Sequence, residues 1–292
     1  MTKSVKEAPL IVASIQMEPI IGRTSDNVGR SIALVEQAAA KGAQLAVLPE
    51  LCNTGYVFES RSEVQALAEE IPSGPSTEAW IGAAKRFNMI VVAGITERSG
   101  ENIYNSAVIV GPGGYIGLYR KVHLWGDEAL YFTRGDLGFP VFDTPYGRIG
   151  CQICYDCWFP ESFRLAALQG AELVCVPTNW VPIPGQDPKR EAMANILVMA
   201  AAHSNSIYIV AANRVGIERD QPFIGQSVIV SHTGWPVAGP ASPNNEEILI
   251  AEINLADARR KRNWNDFNQV LRDRRTDVYD QMLGSGCQAG WY

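Results

Sequence analysis

The stretch GRIGCQICYDCWFPESFRLAALQGAELVCVP, residues 147–177, is a strand–helix–strand unit, and it decides the fold class. Arg148 to Ile153 has the length and apolar content of a buried strand, and Cys154 stands at its end before a turn. Pro160 opens the next helix, at the position where a missing N–H is harmless, and Gly170 stops it after Gln169. Leu173 to Pro177 returns as a second short apolar strand. The same alternation extends outward on both sides. Upstream lie a strand at Leu10 to Gln16 and a helix at Asn27 to Lys41, whose Val28, Ile32, Val35 and Ala39 share one face before the Gly42 stop. A buried strand at Gln44 to Pro49, a helix at Thr77 to Phe87 and a strand at Met89 to Ile95 follow. Tyr104 to Val110 and Tyr115 to Arg120 make a hairpin around Gly111-Pro112-Gly113-Gly114. Downstream come a helix at Lys189 to Ser204 and strands at Ile207 to Ala212, Gln226 to His232 and Glu247 to Ile253. No Pro/Ser/Gly linker interrupts the series. One α/β domain is expected over residues 1–292, with a core at about 10–280 and a tail at about 281–292, although length alone would allow two.

Composition removes several classes of function. With 25 basic and 31 acidic residues the net charge is −6, so the basic field of a nucleic-acid binder is missing. No run of about 18 uncharged apolar residues exists to span a membrane. The short apolar run from Leu10 to Ile15 suits a first strand better than an export signal, so a cytoplasmic protein with reduced thiols is expected. Cys151, Cys154 and Cys157 are spaced as metal ligands sometimes are. No fourth cysteine lies near, however, and strand alternation turns Cys151 away from Cys154. None of His123, His203 and His232 pairs at ligand spacing, so neither a metal nor any other cofactor is expected.

Three segments place chemically unusual residues at the ends of apolar runs: Leu48-Pro49-Glu50, Tyr119-Arg120-Lys121-Val122-His123-Leu124, and Ile153-Cys154-Tyr155-Asp156. Ligands of α/β sheets bind at the carboxyl ends of strands. A cysteine there, near a cation and a carboxylate, has a base for its proton and positive charge to favour a low-pKa, readily alkylated thiolate. Singly, each residue has an ordinary structural explanation: a solvated glutamate, a surface lysine, a packing cysteine.

Together they resemble the nitrilase (carbon–nitrogen hydrolase) superfamily, over nearly the whole chain from Ile11 to Tyr279. Gly55-Tyr56, Phe159-Pro160-Glu161, Gly170-Ala171-Glu172, Pro177-Thr178-Asn179-Trp180, Ala212 to Gly216, Gly225-Gln226-Ser227 and Arg272 to Arg275 with Tyr279 also fit that pattern. The resemblance implies a four-layer α-β-β-α sandwich and a catalytic triad of Glu50 as general base, Lys121 as oxyanion-stabilising cation and Cys154 as nucleophile. Glu128 is the matching second carboxylate, against the alternative of an exposed glutamate. Tyr155 contributes an oxyanion N–H, and Tyr56, Trp158, Asn179 and Trp180 are candidate substrate contacts. His123 is the competing base, in a Cys–His dyad.

Members of this superfamily cleave nitriles, amides or N-carbamoyl groups. Nitrilases proper follow the nucleophile with Trp-Glu, whereas Tyr155-Asp156 stands here and resembles the amidase and carbamoylase branches. Carbamoylases acting on D-amino acids carry paired arginines shortly after the nucleophile, where this chain has Cys157-Trp158. Without that clamp a free carboxylate lacks a partner. The expected substrate is therefore a small neutral or aromatic carboxamide, ahead of an N-carbamoyl compound and then a nitrile. A catalytically silent binding protein on the same fold is the non-enzyme alternative. Pairing into a homodimer or larger homo-oligomer is expected from the family, with the tail bearing Trp291 and Tyr292 as a possible crossing segment.

Overall fold

Strand alternation divides the apolar residues of the first half between two separate cores, and this division builds the molecule. Leu10, Val12, Leu45, Val47, Ile90, Val92, Ala107 and Ile109 join one core, while their neighbours Ala13, Ile15, Ala46, Leu48, Val91, Ala93, Val108 and Val110 join another. Successive strand side chains point to opposite faces, so such a sheet is covered on both sides. The computed structural model describes residues 9–283 apart from 186, 188 and 189.

The first half comprises β1 (Leu10–Gln16), α1 (Thr24–Ala40), β2 (Leu45–Val47), α2 (Arg61–Leu67), α3 (Pro75–Phe87), β3 (Ile90–Ser99), β4 (Asn102–Gly111) and β5 (Gly114–Arg120). The second comprises α4 (Glu128–Tyr131), β6 (Val141–Asp143), β7 (Arg148–Cys151), a 3-10 turn (Cys154–Trp158), α5 (Pro160–Leu168), β8 (Leu173–Pro177), α6 (Met193–Asn205), β9 (Tyr208–Ala212), a two-residue ribbon of β10 (Ile217–Glu218) and β11 (Gln221–Pro222), β12 (Val228–Val230) and β13 (Pro236–Ala238). The last strand, β14 (Glu247–Ile253), crosses back to the first sheet, and α7 (Leu255–Arg260) and α8 (Thr276–Leu283) follow.

Two six-stranded sheets result, ordered β14-β1-β2-β3-β4-β5 and β13-β12-β9-β8-β7-β6. Each has a parallel centre, β1-β2-β3 in one and β7-β8-β9 in the other, and antiparallel flanks. The sheets face each other across a core drawn from both, and the Ser14 hydroxyl on β1 donates to the Ala211 carbonyl on β9 (2.7 Å). Helices α1 and α3 pack on the outer face of the first sheet, and α6 covers the second beside α5. These are the four layers of an α-β-β-α sandwich.

Differences from the sequence reading have local causes. The strand expected to run to Ile153 ends at Cys151, because the chain turns tightly at Cys154 with φ +49°. Edge strands β6 and β13 and the short α2 carry too few apolar residues to show a period. Of the expected helix from Lys189, α6 supplies Met193 onward, and residue 189 itself lies outside the described residues, as do Cys287, Trp291 and Tyr292.

Candidate active site

Glu50 follows β2, Lys121 follows β5 and Cys154 follows β7, so the strand ends of the two sheets converge on one place. Gly94 on β3 makes the Glu50 turn possible. A Cβ there would lie 2.5 Å from Glu50 Cα, so only glycine lets β3 hold the turn by Gly94 N–H donating to Pro49 O (3.1 Å). Lys121 is fixed through its backbone, donating to Asn105 O and accepting from Gly135 N–H (both 2.8 Å). A Cβ on Gly135 would meet Arg120 O at 2.1 Å, so this close approach also requires glycine.

The Lys121 ammonium is fully buried between two carboxylates, 2.7 Å from Glu50 Oε1 and 2.7 Å from Glu128 Oε1. Asn105 Nδ2 also donates to Glu50 Oε1 (2.7 Å). Glu128, which begins α4, accepts the Tyr56 hydroxyl at Oε1 (2.6 Å) and Trp125 N–H at Oε2 (3.1 Å). Two oxygens of this cluster are uncommitted: Glu50 Oε2 and Asn105 Oδ1 are buried and accept no hydrogen bond from any described residue. Burial alone would push the Lys121 ammonium down, but Glu128 and Glu50 outweigh it and hold its pKa above the ordinary lysine value. Burial pushes the Glu128 carboxyl up to about 6, against the pull of Lys121. Cys154 is held well above the usual thiol range, first by burial and then by the Glu50 charge, with Lys121 offsetting only part. The low-pKa thiolate expected from the sequence is thus corrected: Cys154 rests as a thiol, because its 6% exposure removes the water an anion needs.

Cys154 opens onto a small cavity lined by Trp125, Tyr155, Trp158, Asn179, Trp180, Val181 and Ile183. Among the described residues no cationic side chain lines it. Asn179 ties this wall to Glu50, its Nδ2 donating to the Glu50 carbonyl (2.9 Å).

A family model for carbon-nitrogen hydrolase matches residues 11–263. The chain belongs to the carbon-nitrogen hydrolase family. It is 43% identical to a nitrilase of Pyrococcus abyssi, covering 92% of this chain and 98% of that one. It is 35% identical to an N-carbamoylputrescine amidase of Solanum lycopersicum, covering 89% and 90%. Among solved structures it matches an amidase from Nesterenkonia sp. AN1, whose active-site cysteine carries added acrylamide, with a TM-score of 0.76, 25% identity and coverage of 93% and 99%.

In this carbon-nitrogen hydrolase the structure gathers Glu50, Lys121 and Glu128 into one bonded cluster and sets Cys154 beside it with Tyr155, Trp158, Asn179 and Trp180. Tyr56 is placed differently from expectation. It does not line the Cys154 cavity but stands behind Glu128, in a neighbouring cavity that shares Trp125. His123 is turned away from a dyad: its Nδ1 lies 2.8 Å from Asp156 Oδ1, and its ring stacks on Phe159 at 3.6 Å. Cys151, Cys157 and Cys175 are buried packing residues, and among the described residues no three His, Cys, Asp or Glu are grouped to hold a metal. Among the described residues no helix is long and apolar enough to cross a membrane. Sequence reasoning missed Asn105, Trp125 and Asp156. The Asn105-Ser106 pair inside an otherwise apolar strand was the available signal for the first.

Proposed function

We propose that the chain hydrolyses a small uncharged carboxamide to its acid and ammonia through a thioester on Cys154. The observation that carries this reading is the buried, uncommitted Oε2 of Glu50, whose other carboxylate oxygen is held by Lys121 and Asn105. A general base needs a free lone pair near the proton it takes. Glu50 Oε2 takes the thiol proton as Sγ of Cys154 attacks the carbonyl carbon. The Lys121 ammonium and the Tyr155 N–H meet the oxyanion, a preorganised stabilisation of roughly 3–4 kcal/mol per donor. The proton then passes from Glu50 to the leaving nitrogen, the C–N bond breaks and ammonia departs. Glu50 next deprotonates water, which adds to the thioester, and collapse returns the proton to sulfur with release of the acid. Glu128 orients Lys121 throughout.

The substrate side rests on the cavity. Trp125, Trp158, Trp180, Val181 and Ile183 offer apolar surface with no cation among the described residues, which suits an uncharged acyl group. The tomato relative's name favours a second reading, an N-carbamoyl amine as substrate. An ammonia-release screen over nitriles, aliphatic and aromatic amides and N-carbamoyl compounds separates the two. Release from amides alone supports the carboxamide; carbon dioxide evolved with ammonia from ureido compounds favours the second; turnover of nitriles only contradicts both.

A further inference from the structure

Asp156 takes no step in the reaction above, yet its fully buried carboxylate joins the two halves of the site. Oδ2 accepts Ile153 N–H (3.0 Å) and the Tyr119 hydroxyl (2.6 Å); Oδ1 accepts His123 N–H (3.0 Å) and faces His123 Nδ1 (2.8 Å). Tyr119 is on β5, His123 follows it in the Lys121 segment, and Ile153 immediately precedes the nucleophile. Lys121 therefore stands two residues before one member of the pair, and Cys154 two residues before the other.

Cys154 also has a φ of +49°, a left-handed backbone that residues other than glycine keep only where neighbours enforce it. Asp156 supplies the enforcement from both ends of Ile153, accepting its N–H and donating its own N–H to the Ile153 carbonyl (3.0 Å). We propose that Asp156 and His123 form a clasp that sets the separation between the Lys121 ammonium and the Cys154 sulfur, making Asp156 a positioning residue for the reaction. The proposal rests on the thioester reading, because it assigns importance to that separation.

Asp156→Asn tests it. Asparagine offers one acceptor oxygen, so its NH2 group must face a backbone N–H, of either Ile153 or His123, and that side of the clasp opens. A displacement near 1 Å at a reacting centre lowers rate by roughly a hundredfold. We expect kcat to fall by about that factor with KM within about twofold, and the rate of Cys154 alkylation by iodoacetamide to fall with it, while the melting curve stays that of a folded protein. His123→Phe, which keeps the stack on Phe159 but removes the Nδ1 contact, should cost about tenfold in kcat. Wild-type kcat in Asp156→Asn overturns the clasp, as does a loss of kcat with a parallel rise in KM and unchanged alkylation. If Asp156→Asn does not fold, His123→Phe decides by the same readouts, and unchanged kcat there overturns the proposal. Cys154→Ala is run alongside. Turnover retained in that variant refutes the thioester reading itself, whereas loss there with wild-type kcat in Asp156→Asn refutes only the clasp.

Discussion

The two sheets contribute unlike halves to the site. The first ends in a polar cluster in which Lys121 and Asn105 hold one oxygen of Glu50 and Lys121 also pairs with Glu128, leaving the second carboxylate oxygen of Glu50 free. The second ends in a thiol among aromatic and aliphatic walls. The comparison separates proton and charge handling, held rigid on one sheet, from substrate accommodation, shaped by the other. Residues of the polar cluster should therefore act on kcat, and those of the cavity wall, Cys154 apart, on KM.

Glu50→Gln tests the separation most severely. The amide keeps volume and some bonding to Lys121 but cannot accept a proton, so kcat should fall at least about a hundredfold with little change in KM. A comparable loss in His123→Asn with near-normal Glu50→Gln would transfer the role of base to His123.

Lys121 comes next, and its burial changes which variant is informative. Lys121→Ala would leave Glu50 and Glu128 as unpaired buried carboxylates, destabilising the fold by roughly 3–5 kcal/mol and confounding kinetics with unfolding. Lys121→Arg keeps the charge, but its planar guanidinium cannot occupy a compact site 2.7 Å from both carboxylates. Steady-state kinetics of the folded Arg variant should show kcat and kcat/KM reduced together. Near-full activity would mean that positive charge suffices without direct contact.

Glu128 should act more mildly, through pH. Its raised pKa of about 6 means that it gains a proton as pH falls through that value, and Lys121 then loses one of two anionic partners. The wild-type kcat/KM should decline below about pH 6, and Glu128→Gln should lack that limb while running roughly tenfold slower at neutral pH. An identical limb in the variant assigns it to another group.

The smallest effect belongs to the walls. Trp158→Ala should raise KM for an aromatic amide by roughly tenfold, in line with the loss of a large apolar contact, and leave kcat within about threefold. A selective fall in kcat would instead place Trp158 in the charge-handling half.

How far the sequence showed this depended on the range of the interaction concerned. Strands Leu173–Pro177 and Glu247–Ile253 match their expected bounds because alternation and burial are visible within a few residues. Helix α1 begins at Thr24 rather than Asn27, since its first turn carries no apolar residue to extend the period. Glu50, Lys121 and Cys154 were legible as unusual residues ending apolar runs. Their surroundings were not: Asn105 and Asp156 make contacts across 55 and 33 residues of chain, and no local pattern encodes such a pairing. The protonated resting state of Cys154 was missed for the same reason, because burial is a property of the folded site.

The central claim, a covalent acyl group on Cys154, is tested most directly by intact-protein mass spectrometry. The protein is mixed with a slowly hydrolysed aromatic amide and quenched in acid within a few turnovers. The account predicts an added mass equal to the acyl group, mapped to the peptide containing Cys154 and absent in Cys154→Ala. Turnover with no adduct under any quench time, or the same adduct in Cys154→Ala, would contradict it.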